Sequence, residues 1–189
     1  MENNIPALYN DCSRILVSEQ EIAAICDRLA AEITDTYKDS TRRLVMVVIL
    51  KGSMPFAADL MKRLTLPIEL EFMKVSSYGA GTKSSGEIKV SLDLNRDDLQ
   101  DIDLLVVEDI VDSGRTLSRL TQLLKNRNAH SVRTCTLLDK PARREVEFVP
   151  DFCGTVIPDE FVVGYGLDYD EKYRNLPFVG VLKREVYEG

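Results

Sequence analysis

Histidine is nearly absent, with one residue, His130, in a chain of 189. Chemistry that needs a histidine pair, as ligand set or as proton relay, is therefore excluded. His130 itself follows an expected helix, where a surface or helix-end role is the ordinary one. The cysteines are few and scattered. Cys12, Cys26, Cys135 and Cys153 show neither the short paired spacings of a zinc site nor a redox CxxC, and they read as reduced thiols of a cytoplasmic protein. Long hydrophobic runs are missing too. The longest, Leu44 to Leu50, falls far short of the roughly 20 apolar residues that cross a bilayer. No basic head followed by an apolar stretch occupies the first twenty residues, so export and membrane attachment are not expected. Positive charge is also in deficit: 24 basic against 31 acidic residues give −7, which argues against a general affinity for nucleic acid phosphates. There is no internal repeat, low-complexity segment or Pro/Ser-rich linker to divide the chain. With 44 % hydrophobic and 29 % charged residues, one domain spanning 1–189 with a sizeable core is expected.

What is present is an alternation of strands and helices. Ser18 and Glu21 have capping-box spacing, and Ile22, Ile25, Leu29 and Ile33 follow at helical intervals. Leu44 to Leu50, continuously apolar and β-branched, suits a strand buried on both faces of a parallel sheet. Pro55 can start a second helix whose Phe56, Leu60 and Leu64 share a face. Ile68, Leu70 and Phe72 alternate with Glu69 and Glu71, and Ile88, Val90, Leu92 and Leu94 with polar neighbours, predicting two half-buried strands. Between these lies Ser76 to Gly86, a glycine-bearing loop whose one apolar anchor is Tyr78. Further strands are predicted at Leu104 to Val107, Val132 to Leu138 and Phe178 to Leu182, with a helix from about Thr116 to Asn126. This is an α/β pattern with a mainly parallel sheet, in which ligands bind beyond the carboxyl ends of the strands. Function should sit in the loops after Leu50, Val107 and Leu138.

The most informative stretch is Leu104 to Leu117. A buried strand runs into Glu108-Asp109, two adjacent carboxylates whose repulsion is offset by a cation or by sugar hydroxyls. Asp112-Ser113-Gly114-Arg115-Thr116 then combines a flexible glycine, two hydroxyls and a helix start. Its successive N–H groups can wrap a phosphate at the positive end of a helix dipole. Any one of these pairs alone would be an ordinary solvated turn. Their order, strand, acidic pair, third acid and Ser-Gly-x-Thr, is the order a phosphosugar site needs, and it is neither a Walker A loop nor a Rossmann fingerprint.

This segment resembles the phosphoribosyl pyrophosphate signature of the type I phosphoribosyltransferases, and the similarity, closest to the hypoxanthine-guanine branch, runs from about Arg14 to Lys183. The resemblance implies that family's fold: a mainly parallel sheet flanked by helices, a flexible lid loop, and a small hood from about 1–17 and 150–189. It implies that Glu108 and Asp109 engage the ribose hydroxyls directly and through Mg2+, while Asp112, Ser113, Gly114, Arg115 and Thr116 hold the 5′-phosphate. Lys51 and Gly52 match a loop that meets pyrophosphate through a strained peptide, and Arg174 an arginine on the same leaving group. Ser77 and Tyr78 match the lid pair. Lys140 corresponds to a donor to the purine 6-oxo group, Phe161 to the stacking ring, Val162 to backbone bonds to the base edge, and Asp168 to a residue near the base and a second magnesium. Arg115 stands where some relatives carry lysine. The chain ends soon after Lys183, as in the shorter, bacterial-style form.

The reaction so implied is displacement of pyrophosphate from phosphoribosyl pyrophosphate by hypoxanthine or guanine. Asp112 is the candidate catalytic residue, either as general base or as an orienting group. The partners implied are these two small-molecule substrates and one or three further copies of the chain, in a homodimer or homotetramer. Hypoxanthine, guanine and xanthine are not separated by the pattern. Two rivals share the phosphate loop: nucleic-acid-binding regulators, opposed by the acidic charge, and adenine, orotate or uracil phosphoribosyltransferases, which are not expected to repeat Lys140 with Phe161 to Asp168.

Overall fold

The computed structural model describes residues 7–77 and 88–188. In chain order these form α1 (Ala7–Asn10), β1 (Cys12–Val17), α2 (Glu19–Tyr37), β2 (Arg43–Ile49), α3 (Met54–Met61), β3 (Ile68–Ser77), β4 (Ile88–Leu92), β5 (Ile102–Val111), α4 (Arg115–Asn126), β6 (Ser131–Asp139), β7 (Phe152–Val156), β8 (Val162–Val163), β9 (Val179–Leu182) and α5 (Arg184–Tyr187). The expected loop from Ser76 to Gly86 lies mostly outside the described residues. The backbone of Ser77 ends β3, and Tyr78 falls outside. No helix among the described residues is long and apolar enough to cross a membrane, which says nothing of a β-barrel.

Six strands form the main sheet in the order β4-β3-β2-β5-β6-β7. All its pairings are parallel except that of the edge strand β4. β2 and β5 supply the middle, and every residue from Leu44 to Ile49 and from Ile102 to Val107 is buried, as continuously apolar strands covered on both faces require. On one face lie α2 and α3, whose Ile22, Leu29, Ile33, Phe56 and Leu60 pack with Met46, Val48, Leu105 and Val107. On the other, Leu117, Leu120 and Leu124 of α4 pack with Val45, Val47, Leu104 and Val106. α2 starts as its sequence dictates: the Ser18 side chain accepts from the Glu21 N–H, and the Glu21 carboxylate accepts from the Ser18 N–H at 2.7 Å. The core stripe of α2 also takes in Cys26, which sits fully buried where Ile25 is only partly so.

Three strands form a second, antiparallel sheet, β1-β9-β8, that joins the two ends of the described chain. Val163, Tyr173, Leu176, Phe178 and Leu182 make its separate small core. The hood expected from 1–17 and 150–189 is thus recognisable, but its second part begins later. β7, at Phe152–Val156, pairs with β6 in the main sheet, because its Phe152 joins the core under α2.

Three local expectations change. α3 ends at Met61, so Leu64 packs on the core from beyond the helix. Leu94 likewise lies past the end of β4. The alternation in β3 predicts a half-buried strand, yet its apolar Leu70 and Phe72 are 42 % and 38 % exposed. They flank Met46 and Val48 of β2, on the side that α3 covers only in part, since its own Met54 and Met61 also face solvent. Glu69 and Glu71 on the opposite face are instead tied down, Glu69 to Arg43 at 3.0 Å and to Arg96 at 2.7 Å, and Glu71 to Arg96 at 3.5 Å.

Candidate functional site

The strand order reverses its winding between β2 and β5: from β2 the chain moves outward to β3, and from β5 to β6 and β7. Ligands in open α/β sheets bind at such a switch point, outside the strands' carboxyl ends. Here β2 pairs with β5 only as far as Val107, whereas β6 continues along it to Val111. Residues 108–111, expected as loop beyond the strand, therefore remain in β5 with one edge open. The chain leaving β2 through Leu50-Lys51-Gly52, whose Leu50–Lys51 peptide is cis, forms the opposite wall.

Between them lies a pocket of about 310 Å³ lined by Lys51, Gly52, Glu108, Asp109, Asp112, Ser113, Gly114, Thr116, Asp168 and Arg174, with apolar walls from Ile49, Val75, Val111 and Leu117. Ten positions that the sequence pattern picked out from four separate stretches are thus brought together. Gly114, in the left-handed region at φ +80, turns the chain into α4, so that the first N–H groups of that helix face the pocket floor. Gly52 is squeezed between two neighbours: a Cβ there would run into the Asp109 carboxylate. Across from it Gly166, at φ +100, has room for no side chain because a Cβ would strike the Gly52 carbonyl. These two glycines let the Lys51 loop, β5 and the Asp168 loop approach to backbone distance.

Electrostatically the site is unbalanced. Burial pushes the Glu108 carboxyl well above the usual carboxylate range, with the charge of Asp109 adding to the shift. Burial raises Asp109 as well, against hydrogen bonds that favour its charged form. Two half-buried acids without a basic partner at contact distance among the described residues could hold a divalent cation. Among the described residues no three His, Cys, Asp or Glu side chains converge to cage a metal. Asp168 lines the same pocket but is engaged elsewhere: Arg174 lies 2.8 Å from its Oδ1, and the Glu171 N–H donates to its Oδ2 at 3.0 Å.

Among the described residues, two buried polar atoms of pocket-lining residues lack a hydrogen bond: Arg174 Nε, and Asp112 Oδ1, whose one charged neighbour is Arg143 Nε at 3.5 Å. One is an acceptor and the other a donor. A buried donor left unpaired costs roughly 1–3 kcal/mol, so Arg174 Nε marks where a ligand gains most.

Other expected residues stand apart from this pocket. Arg115 turns outward to Glu145 at 2.6 Å, leaving its backbone at the start of α4. Lys140, 7 % exposed, ends β6 and donates from Nζ to the Glu160 carbonyl at 2.9 Å. That bond sets the ammonium beside Phe161 and Val162. Val162 is buried in β8, and Phe161, 38 % exposed, lines a different pocket beside β9 and α5. The side chain of Ser77 and all of Tyr78 lie outside the described residues.

Sequence reasoning missed three residues at this site. Arg144 donates from Nη1 to the Asp112 carbonyl at 2.6 Å and pairs with Asp139 through Nη2, clamping the phosphate loop to the end of β6. Arg143 brings Nε to 3.5 Å from Asp112 Oδ1. Glu171 reaches Lys51 Nζ at 3.0 Å and Arg174 Nη2 at 3.3 Å. The one signal for the arginines was a cluster of Lys140, Arg143 and Arg144 just past a strand's carboxyl end. For Glu171 nothing but its place between Asp168 and Arg174 gave a hint.

Comparison with known proteins agrees with this geometry. The family model described as phosphoribosyl transferase domain matches residues 14–170. A bifunctional protein TilS/HprT of Listeria monocytogenes is 52 % identical over 181 residues, which are 96 % of this chain but only 28 % of that protein. The hypoxanthine-guanine phosphoribosyltransferase of Bacillus subtilis is 49 % identical over 181 residues, covering 96 % of this chain and 99 % of the relative. Among solved structures, a hypoxanthine phosphoribosyltransferase of Staphylococcus aureus superimposes with a TM-score of 0.91 at 45 % identity, over 100 % of both chains.

The glycine contact can be tested directly. Gly166→Ala should lower the stability by roughly 1–3 kcal/mol in urea unfolding, from the clash and the left-handed backbone together. An unchanged midpoint would show that the two loops do not meet as described.

Proposed function

The chain belongs to the phosphoribosyl transferase family, and from that premise we propose that it is a cytoplasmic purine salvage enzyme moving the 5-phosphoribosyl group of phosphoribosyl pyrophosphate to hypoxanthine or guanine. The products are IMP or GMP and pyrophosphate. The observation that carries the reading is the convergence of Lys51, Gly52, Glu108, Asp109, the Asp112 to Thr116 loop, Asp168 and Arg174 on one pocket at the sheet's switch point. A regulator that merely sensed phosphoribosyl pyrophosphate would have no use for Lys140 held beside Phe161.

In this reading the N–H groups from Ser113 to Thr116 hold the 5′-phosphate at the positive end of α4. Glu108 and Asp109 take the ribose hydroxyls. Lys51 and Arg174 receive the pyrophosphate, with the unpaired Arg174 Nε as a directed donor. Glu108 and Asp109 would hold one Mg2+, and Asp168 would lie by a second; bound there, the metal neutralises charge on the leaving group. Lys140 has ammonium protons left after its bond to Glu160. It offers one to the purine 6-oxo group and meets only another donor in adenine. Phe161 stacks on the base, and the Val162 backbone bonds its edge. Asp112 Oδ1, which makes no hydrogen bond among the described residues and has Arg143 Nε at 3.5 Å, accepts the N7 proton as N9 attacks the anomeric carbon and the carbon–oxygen bond to pyrophosphate breaks with inversion.

The assembly we propose is at least a dimer. Leu70 and Phe72 of β3, with Met54 and Met61 of α3, leave an apolar surface uncovered in the single chain, beside the Lys51 loop. Such a surface marks an interaction site. A second copy is its simplest occupant. The chain should sediment as a dimer or tetramer at micromolar concentration, and Phe72→Glu should shift it toward monomer. A wild-type monomer would refute this assignment.

Nucleotide synthesis with each base offered separately tests the reaction. Hypoxanthine and guanine should turn over in the presence of magnesium and adenine should not, with Asp112→Asn slower by about 10²- to 10⁴-fold. Binding of phosphoribosyl pyrophosphate with no turnover of any base would overturn the reading in favour of a ligand sensor. Glu171 supplies a second test, because its carboxylate occupies both pyrophosphate cations. Glu171→Gln should tighten inhibition by pyrophosphate roughly 2- to 5-fold, the scale of exposed ion pairs. An unchanged inhibition constant would place pyrophosphate away from Lys51 and Arg174.

A further inference from the structure

Phe161 stands just before the two-residue strand β8, a position that gives a side chain little support from its own backbone. What supports it comes from β9 and α5. Val162 pairs with Val181, and the Leu182 N–H donates to the Phe161 carbonyl at 2.8 Å, so β9 is stitched directly to the segment that carries the ring. The chain then folds back through the single turn of α5, closed by the Val186 N–H on the Lys183 carbonyl at 3.0 Å. This return lays the Tyr187 ring on that of Phe161, with centroids 4.7 Å apart and planes 19° from parallel. Tyr169 meets Phe161 at a right angle, 5.6 Å between centroids and 88° between planes. It also approaches Tyr187 at 6.5 Å. The three rings form one stack and corner. Tyr187 is itself anchored, packing with Val186 on the small core of Val163, Leu176 and Phe178.

We infer that Tyr187 is a positioning residue for the purine base, acting through Phe161. This rests on the reading of Phe161 as the ring that stacks on the base. A phenyl ring has two faces. Tyr187 covers one, and the 38 % of Phe161 that remains exposed includes the surface left for the base. Without its backing the ring is free to rotate about a partly solvated side chain, and the base must then order it on binding. Stacking of this kind needs an aromatic plane and makes no demand on the phenol, whose hydroxyl has no hydrogen-bond partner among the described residues. The effect should therefore be confined to the base. In that reading phosphoribosyl pyrophosphate meets the ends of β2 and β5, the start of α4 and Arg174; of these only the Asp168 to Arg174 loop adjoins the stack, through Tyr169, which a change at Tyr187 leaves in the chain.

The test compares wild type, Tyr187→Ala and Tyr187→Phe in steady-state kinetics, with thermal unfolding to verify that each variant is folded at the assay temperature. Tyr187→Ala should raise KM for hypoxanthine roughly 3- to 10-fold, the factor an aromatic pair carries. KM for phosphoribosyl pyrophosphate and kcat should each move by less than about twofold, and Tyr187→Phe should restore the wild-type value. An unchanged KM for hypoxanthine, or equal rises in both KM values, would reduce Tyr187 to a structural role and overturn the inference. A fall in KM for hypoxanthine would overturn it in the other direction, since Tyr187 would then be covering the face that the base needs. If wild type turns over no 6-oxopurine at all, the failure lies with the function proposed for the site, and the stack has lost its purpose with it.

Discussion

β5 is hydrogen-bonded on both sides as far as Val107 and on one side only from Glu108 to Val111. That inequality creates the site. A strand edge cannot be left open inside a protein unless something polar uses it, and here the open edge is where two acids, a third acid and a helix start follow in succession. β2 produces the opening by ending at Ile49 and turning away through Lys51 and Gly52, and the sheet's change of winding keeps any other strand from filling the gap. Everything else at the site is arranged around this crevice: α4 aims its first N–H groups into it, and the Asp168 to Arg174 loop closes it from the second sheet.

Close approach is the second constraint. Gly52 lies against Asp109 on one side and Gly166 on the other, and no residue with a side chain fits at either glycine. The two sheets therefore meet at backbone distance where the cations Lys51 and Arg174 converge. Between those cations sits Glu171, an internal anion in the place proposed for an external one. In the proposed reading this competitor weakens the hold on pyrophosphate, a multiply charged product, through Lys51 and Arg174 alone. The base side is organised differently. Phe161 and Val162 are held by β9 and α5, whereas Lys140 follows β6 and its N–H donates to the Val111 carbonyl of β5 at 2.9 Å, so it links the strand ends to the proposed base side.

Much of this was legible in one dimension. The capping box at Ser18 and Glu21, the buried runs at Leu44 and Leu104, and the start of α4, expected at about Thr116 and found at Arg115, followed from local chemistry, because each depends on neighbours within one turn or one strand. The phosphate loop was legible for the same reason: its strand, acids, glycine and hydroxyls are contiguous. Less could be read where burial depends on what lies above a face. The alternation of Ile68, Leu70 and Phe72 with Glu69 and Glu71 was correctly a strand, but which side would be covered depended on how far α3 extends. β8, two residues long, is too short to be distinguished from loop without its partner.

The amino-acid sequence by itself thus determined the alternating α/β architecture and the family to which the Leu104 to Leu117 segment points, since those rest on local periodicity and on residues close in the chain. Only the tertiary structure decided that Arg144 clamps Asp112 to the end of β6, that Glu171 bridges Lys51 and Arg174, that Arg115 turns away from the pocket, and that Tyr187 lies on Phe161. Those contacts join residues from 3 to 120 positions apart, and an ion pair or a ring stack is set by distance in space, which spacing along the chain does not encode.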